Sequence, residues 1–252
     1  MAATATARGF LFCIRRPVSS SLSYSRLRYG TRSLSQAVAA MYSPTDSAIF
    51  QPRFLVVSLG NPAPHHETFH SAGHVALSAV HELLGSAQPA FQPQRLGKKS
   101  TKTSIGPKYI FVQSPTQMNV TGPWIAKAYK EILSQEGLYP SQLGVVIIHD
   151  DLESSLGAVK TLSWKKSHQG HNGMKSINAS LPRQSADAPW VRISIGIGRP
   201  IQRDAKIVSD YVLKSFSNQQ RATINEKAEE VLDALEGLEE EWQTRVSSCR
   251  SL

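Results

Sequence analysis

The chain has little cysteine: Cys13 and Cys249 are the only two among 252 residues, one near each end. This argues against a disulfide framework and a cysteine-based zinc site, and it is consistent with a reducing compartment. Long apolar runs are also missing. Stretches such as residues 145–148 are far shorter than the roughly 20 residues that cross a bilayer. No membrane association is therefore predicted.

Acidic residues are absent from residues 1–45, which carry six arginines and no lysine, and Asp46 is the first acid. Removing these six charges from the net charge of +9 leaves +3 for residues 46–252. A segment rich in arginine, serine and alanine is typical of a mitochondrial or chloroplast transit peptide. The alternative is a disordered nucleic-acid-binding arm. We expect a transit peptide for the mitochondrial matrix, with the chloroplast stroma as the alternative destination.

Apolar runs that alternate with helical spacing predict one α/β domain over residues 46–242, preceded by the transit peptide at 1–45 and followed by a tail at 243–252. We expect a mixed, mostly parallel central sheet flanked by helices in three layers. The predicted strands are 54–59, 109–112, 145–148, 158–162 and 191–197. The predicted helices are 72–84, one through residues 125–132, 172–181 and 224–242, and residues 86–107 are predicted to form a loop or a poorly ordered hairpin.

The last predicted helix is amphipathic. Its apolar residues recur on one face, and between Glu226 and Glu241 there are eight acids and one lysine. An acidic face repels RNA phosphates, so we expect it to be a solvated surface away from any nucleic acid.

Polar residues follow three of the predicted strands directly. The first strand leads to Asn61, the second to Gln117, Met118 and Asn119, and the third to His149, Asp150 and Asp151. Ligands of open α/β sheets bind at the carboxyl ends of the strands. These positions therefore predict a site, although asparagine and aspartate are also ordinary turn residues.

Six of the eight histidines lie close to these strand ends: His65, His66, His70, His74, His168 and His171. The spacing of His66, His70 and His74 could bind zinc on one helix face, but two nearby prolines make a helix at His66 improbable. The interpretation we favour pairs one histidine with one aspartate, so that the imidazole takes a proton from water. Asparagine amides would then stabilise a carbonyl oxygen. This is the chemistry of a water-activating esterase, and spacing alone does not say which histidine and aspartate act.

Six motifs together resemble the bacterial-type peptidyl-tRNA hydrolase family. In chain order they are Gly-Asn-Pro at 60–62, Thr-Phe-His-Ser-Ala-Gly at 68–73, Pro-Thr-Gln-Met-Asn-Val-Thr-Gly at 115–122, Ile-His-Asp-Asp-Leu at 148–152, Gly-His-Asn-Gly-Met-Lys-Ser-Ile at 170–177 and Ile-Gly-Ile-Gly-Arg-Pro at 195–200. The resemblance covers residues 54 to about 235. It implies the fold of that family and an enzyme that hydrolyses the ester of peptidyl-tRNA.

The resemblance also implies roles for particular residues. His70 would be the general base, Asp150 would orient it, and Asn61 would recognise the first peptide amide. The remaining implied roles are Asn119 holding the peptide main chain or the scissile carbonyl, Asn172 binding the 3′ end of the substrate, and Met118 and His171 lining the cleft. The implied partner is peptidyl-tRNA, with no metal or organic cofactor, and we expect a monomer.

Three positions depart from the usual family pattern. Ser71 replaces an amide beside His70, His65 stands where a tyrosine is common, and Gln117 stands where an aromatic residue is common. His65 and Gln117 are still expected to contact the substrate.

The phosphate-binding pair of the family has no clean match. Lys160, Lys165, Lys166 and Arg192 are candidates because cations supply the attraction to RNA, with a solvated loop as the alternative. A rival function is that of the non-catalytic relatives that assist organellar intron splicing. A nucleotide-binding protein is disfavoured because no glycine-rich phosphate loop follows the first strand.

Overall fold

The computed structural model describes residues 50–181 and 187–250. Seven strands form one sheet in the order β2-β3-β4-β1-β5-β7-β6. The strands are β1 Arg53–Ser58, β2 Gln92–Leu96, β3 Lys99–Ile105, β4 Tyr109–Gln113, β5 Leu143–Asp151, β6 Val159–Ser163 and β7 Trp190–Gly196. The helices are α1 Ala72–Leu84, α2 Thr121–Gln135, α3 Asn172–Ser180, α4 Ala205–Val212, α5 Asn218–Asn225 and α6 Ala228–Arg250.

Four central strands, β4, β1, β5 and β7, run parallel, and antiparallel strands extend the sheet at both edges. The central strands are buried on both sides, which explains why they read as continuous apolar runs. The predicted mixed α/β sheet with a parallel core is confirmed, as are the five predicted strands within one to three residues.

Helices cover both faces of the sheet. The Ser58 hydroxyl bonds His74 of α1, and Phe54 packs on Trp242 of α6, so these two helices lie on one face of β1. On the opposite face, Tyr129 of α2 packs on Trp190 of β7. Alternating strand side chains face opposite layers, so the predicted three-layer arrangement is confirmed.

Residues 92–105 form a regular hairpin, where a loop or a poorly ordered hairpin was predicted for residues 86–107. Strands β2 and β3 pair antiparallel, and Leu96 faces Lys99 across the turn. The two turn residues, Gly97 and Lys98, both have positive φ, 55° and 68°, as a two-residue hairpin turn requires.

The C-terminal helix differs from its prediction at both ends. Helix α6 begins at Ala228 and continues to Arg250, so residues 243–250, expected as a tail, are helical. The predicted apolar face is buried through Val231, Leu235 and Trp242.

The opposite face of α6 needs one correction. Glu239 is buried and pairs with Lys108 at 3.0 Å, whereas the other seven acids are exposed as predicted. Within the described ranges, none of the helices has the length and apolar composition that a bilayer crossing requires.

Helices α2 and α3 approach closely at Gly122, whose N–H donates to the Ser176 hydroxyl at 3.0 Å. A Cβ at Gly122 would overlap the Ser176 carbonyl oxygen, a backbone atom that cannot move aside alone. We predict that Gly122→Ala lowers the free energy of unfolding by about 1–3 kcal/mol, as overpacking does.

The matched control is Gly237→Ala in the exposed part of α6, where a Cβ meets no atom within 4 Å. Because alanine favours a helix over glycine, this variant should gain up to about 1 kcal/mol. Chemical denaturation measures both, and equal effects of the two substitutions would contradict the packing argument.

Candidate active site

The carboxyl ends of β1, β4 and β5 meet at one edge of the sheet because these strands are parallel neighbours. A cleft of about 700 Å³ opens there. The predicted site residues that line it are Asn61, His65, His70, Gln117, Met118, Asn119, Asp150, His171, Asn172 and Arg192. The fold therefore brings together residues separated by more than 130 positions.

The centre of the cleft is a hydrogen bond between His70 and Asp150. The Nδ1 atom of His70 lies 2.8 Å from Oδ1 of Asp150, and the two side chains are 12% and 2% exposed. Burial lowers the pKa of His70, but the charge of Asp150 and this hydrogen bond raise it more, so the net pKa is raised. With Nδ1–H donating to the carboxylate, neutral His70 has its lone pair on Nε2, which no described residue binds.

A second imidazole donates to the same carboxylate oxygen. The Nε2 atom of His171 lies 2.9 Å from Oδ1 of Asp150, and its Nδ1 accepts the N–H of Met174 at 3.3 Å. The bond from Met174 fixes the tautomer, because a nitrogen that accepts cannot carry the proton. Burial alone would raise the pKa of Asp150, yet the two histidines hold it well below its ordinary range.

His149 lies behind this pair, and the sequence pattern did not single it out as a separate site residue. Its Nδ1–H donates to the backbone oxygen of Asp150 at 2.7 Å, and its ring packs edge-to-face on His171 with centroids 5.0 Å apart. Burial lowers its pKa to about 3. His149 is therefore neutral and buried at the end of β5.

Asn61 is held in one orientation by two contacts. Its side-chain Oδ1 accepts the backbone N–H of Met118 at 3.2 Å. Its backbone N–H donates to the Ser71 hydroxyl at 3.1 Å. The same hydroxyl donates to the backbone oxygen of His65 at 3.0 Å. Ser71 thus supports the loop that carries Asn61 and His65. The side-chain NH2 group of Asn61 is left to donate to a substrate.

The floor and rim of the cleft differ in exposure. Met118 is 5% exposed and forms the floor, whereas Gln117, Asn119 and Asn172 are exposed at the rim. His65 is also exposed. The rim residues are therefore placed to contact a large substrate.

One wall of the cleft was missed from the sequence. Helix α4 contributes Val208 and Val212, which give that side an apolar surface. Asp204 caps the helix by accepting the N–H groups of Lys206 and Ile207. An aspartate ahead of apolar residues four apart is a helix-start signal that could have revealed it.

The candidate phosphate ligands separate into two groups. Lys165 and Lys166 are exposed on the loop after β6, and Lys160 is exposed and donates to the Ser154 hydroxyl at 2.9 Å. Arg192 is different: it is 1% exposed and donates to the backbone oxygens of Ser163 and Lys166. The structure thus corrects its expected role, because a side chain this buried supports the lysine loop instead of reaching solvent.

The zinc alternative on one helix face does not form. His66 lies in a turn before α1, and His74 is buried with its Nδ1 2.7 Å from the Ser58 hydroxyl. Burial lowers the pKa of His74 to about 4. A different trio, His70, Asp150 and His171, has ligand-type atoms within 4.8 Å of one another. Its spacings of 2.8 and 2.9 Å are those of charge-assisted hydrogen bonds.

The fold and the cleft define an α/β protein with a histidine–carboxylate pair arranged for general-base chemistry. The chain belongs to the peptidyl-tRNA hydrolase family, whose sequence model matches residues 55–251. A peptidyl-tRNA hydrolase of Geobacter metallireducens is 33% identical over 184 residues, 72% of this chain and 86% of the relative. One of Rickettsia bellii is 30% identical over 201 residues, 76% and 98% of the two chains.

A solved structure shows the same fold. Peptidyl-tRNA hydrolase from Acinetobacter baumannii superposes with a TM-score of 0.57 at 20% identity, covering 80% of this chain and 94% of that one. At this identity the likeness concerns the fold alone.

We predict that Asp150→Asn lowers the pKa of His70. The carboxylate charge that raises this pKa is lost, while the burial that lowers it remains. At a pH between the pKa of His70 in the wild type and its lower pKa in the variant, His70 is protonated in the wild type and neutral in the variant. NMR titration of the His70 ring measures the shift.

Asp151→Asn is the matched control, because the Asp151 carboxylate accepts from the Glu153 N–H and the Ser154 hydroxyl and not from His70. If both variants moved the His70 titration equally, the specific coupling of His70 to Asp150 would be refuted.

Proposed function

We propose that this chain hydrolyses the ester bond of peptidyl-tRNA, or of N-blocked aminoacyl-tRNA, with a water activated by His70. The observation that carries the proposal is the 2.8 Å hydrogen bond between His70 and Asp150 in the cleft. Family membership and the peptidyl-tRNA hydrolase relatives support the choice of substrate. The reaction would return tRNA from stalled or aborted translation.

Water activation begins at the lone pair of His70 Nε2. This atom takes a proton from a water as the water oxygen attacks the ester carbonyl, and Asp150 stabilises the imidazolium that forms. The ester C–O bond then breaks, and the proton passes from His70 to the departing ribose oxygen. The products are a free carboxylic acid and a free tRNA hydroxyl, and no covalent enzyme intermediate is needed.

Amide donors stabilise the peptide side of the reaction. Asn61 presents its amide group because its oxygen is engaged by Met118, so it is placed to donate to a carbonyl of the peptide. Asn119 on the rim is proposed to bind the scissile carbonyl or the peptide main chain. A preorganised donor of this kind is typically worth on the order of 10²–10³ in rate.

The tRNA side of the substrate is proposed to contact the start of α3 and the loop after β6. His171 and Asn172 stand at the start of α3, and Asn172 is proposed to bind the 3′ end. The exposed Lys165 and Lys166 would attract the phosphates, while Arg192 holds their loop from below. His65 and Gln117 are proposed as further substrate contacts on the rim.

We base the proposed destination of the protein on residues 1–45, which lie outside the described residues. Six arginines and no acid there support a cleaved presequence for the mitochondrial matrix, with the chloroplast stroma as the alternative. Cell fractionation with N-terminal sequencing of the mature chain tests both destinations.

A monomeric enzyme is also proposed, and light scattering after gel filtration tests it. No observation here favours the splicing role over the hydrolase.

We predict that His70→Ala lowers turnover of N-acetylated aminoacyl-tRNA by at least about 10²–10⁴-fold, the usual contribution of a general base. Binding of uncharged tRNA and the melting temperature should change little, because His70 is partly exposed and its partner Asp150 keeps His171. His66→Ala, an exposed histidine outside the cleft, is the control. Normal turnover by the His70 variant would disprove its role as base.

Chelator treatment of the wild type should leave activity intact, as expected for an enzyme without a metal.

We predict that Asn61→Ala loses discrimination between N-acetylated and free aminoacyl-tRNA. Without its amide donor the enzyme no longer recognises the additional peptide carbonyl, so the ratio of the two kcat/KM values should fall about ten-fold or more. Asn172→Ala is the matched comparison at the tRNA end, where both substrates should lose activity together. An unchanged ratio in the Asn61 variant would rule out its part in selectivity.

A further inference from the structure

The tip of the β2–β3 hairpin lies over the beginning of α2. The Trp124 indole N–H donates to the Leu96 backbone oxygen at 2.9 Å, and the Gly97 N–H donates to the Glu131 carboxylate at 2.6 Å. Lys127 lies between Trp124 and Glu131 on the same side of the helix, since residues three and four apart are neighbours. The hairpin tip and this helix therefore form one continuous surface.

Four cations mark that surface: Lys98 and Lys99 on the tip, and Lys127 and Lys130 on α2. All four are exposed, and we call them the basic strip. Among the described residues none of them forms an ion pair, whereas Lys108, Lys206 and Lys227 each pair with an acid.

Acids that could neutralise the basic strip are few. The hairpin residues 92–102 carry four cations and no acid. The only acid in α2 is Glu131, and its carboxylate is bonded to the Gly97 N–H. Glu131 keeps its negative charge, but one carboxylate beside four lysines leaves the basic strip with a net positive charge.

Lys98 occupies a backbone conformation that disfavours it. Its φ of 68° lies in the left-handed region, where glycine or asparagine is preferred and other residues cost on the order of 1 kcal/mol. A lysine at this position places a cation at the outermost point of the hairpin in spite of that cost.

The hairpin that carries Lys98 and Lys99 extends the sheet beyond β4, the strand that leads to Asn119. Asn61 follows β1 and Asn119 follows β4, whereas the lysine loop follows β6 at the opposite edge of the sheet. Asn119 precedes α2 by two residues. Lys127 is eight residues further, about 12 Å along the helix axis, a span that about four extended peptide residues cover.

We propose that the basic strip is a subsite for the peptide part of the substrate, and that it favours peptides with acidic residues about four or more positions before the ester. The proposal rests on the proposed function, because it assigns the two ends of the cleft to tRNA and peptide. Exposed charges attract weakly one by one, so several unpaired lysines in one strip are needed for a measurable preference.

The test compares two peptidyl-tRNAs with the full-length protein. Both carry the same tRNA and an N-acetylated heptapeptide with the same three residues next to the ester, and the upstream four residues are all glutamate or all glutamine. We expect the wild type to favour the glutamate substrate by about five-fold in kcat/KM at low salt. The preference should shrink as salt screens the charges.

The variant removes the charges and keeps the fold: Lys98→Asn, Lys99→Gln, Lys127→Gln and Lys130→Gln. Asparagine tolerates the positive φ of residue 98. The variant should turn over the two substrates within two-fold of each other and should keep the wild-type rate on the glutamine substrate. Lys165→Gln with Lys166→Gln is the comparison on the tRNA side, where both substrates should slow and their ratio should persist.

Two results would overturn the subsite. The wild type could show no preference between the two peptides, or the strip variant could slow both substrates equally, which would mean that the strip contacts RNA. Failure of the proposed function is distinguishable from either result, because the wild type would then hydrolyse neither substrate.

Discussion

A buried carboxylate that accepts two imidazoles on one oxygen organises this protein. Asp150 is 3% exposed, and an ionised group so buried is costly unless it is paired and hydrogen-bonded. The chain supplies partners from distant segments, His70 before α1 and His171 at the start of α3. The position of α1, the position of α3 and the end of β5 are therefore coupled. A displacement of α1 or α3 would remove one of the two hydrogen bonds that stabilise the charge of Asp150.

This constraint also explains how the nearby polar groups are arranged. His149 is kept neutral by burial, so it adds no charge that would compete for Asp150. Ser71 bonds the backbone of both Asn61 and His65, which ties the substrate-facing loop to the residue that follows the proposed base. An alanine or a larger side chain at residue 71 would lose one or both bonds. Ser71 is therefore integrated into the site by this pair of hydrogen bonds.

The spacing of apolar residues predicted those strands and helices that bury a regular set of apolar side chains. The buried runs of β1, β4 and β5 and the apolar spacing of α1 were sufficient, and parallel order then placed Asn61 and Asp150 at one edge. The hairpin remained ambiguous because its strands are mostly polar. Helix α4 was missed because only Val212 in it is buried. The identity of the proposed base came from the family resemblance, since spacing cannot show which of several histidines meets a carboxylate 80 positions away.

The positive groups show why charge read along a sequence is a weak guide to their use. Arg192 looked like a phosphate ligand, but its strand is paired on both sides and its guanidinium ends beneath the lysine loop. Lys98 lies in a segment predicted as a loop or a poorly ordered hairpin, yet it occupies a defined hairpin turn and its side chain is exposed. The positive charge of Arg192 thus supports a loop from below, whereas that of Lys98 lies on an exposed surface. The two side chains differ in whether backbone oxygens accept their N–H groups. Which backbone oxygens lie nearby depends on the tertiary fold.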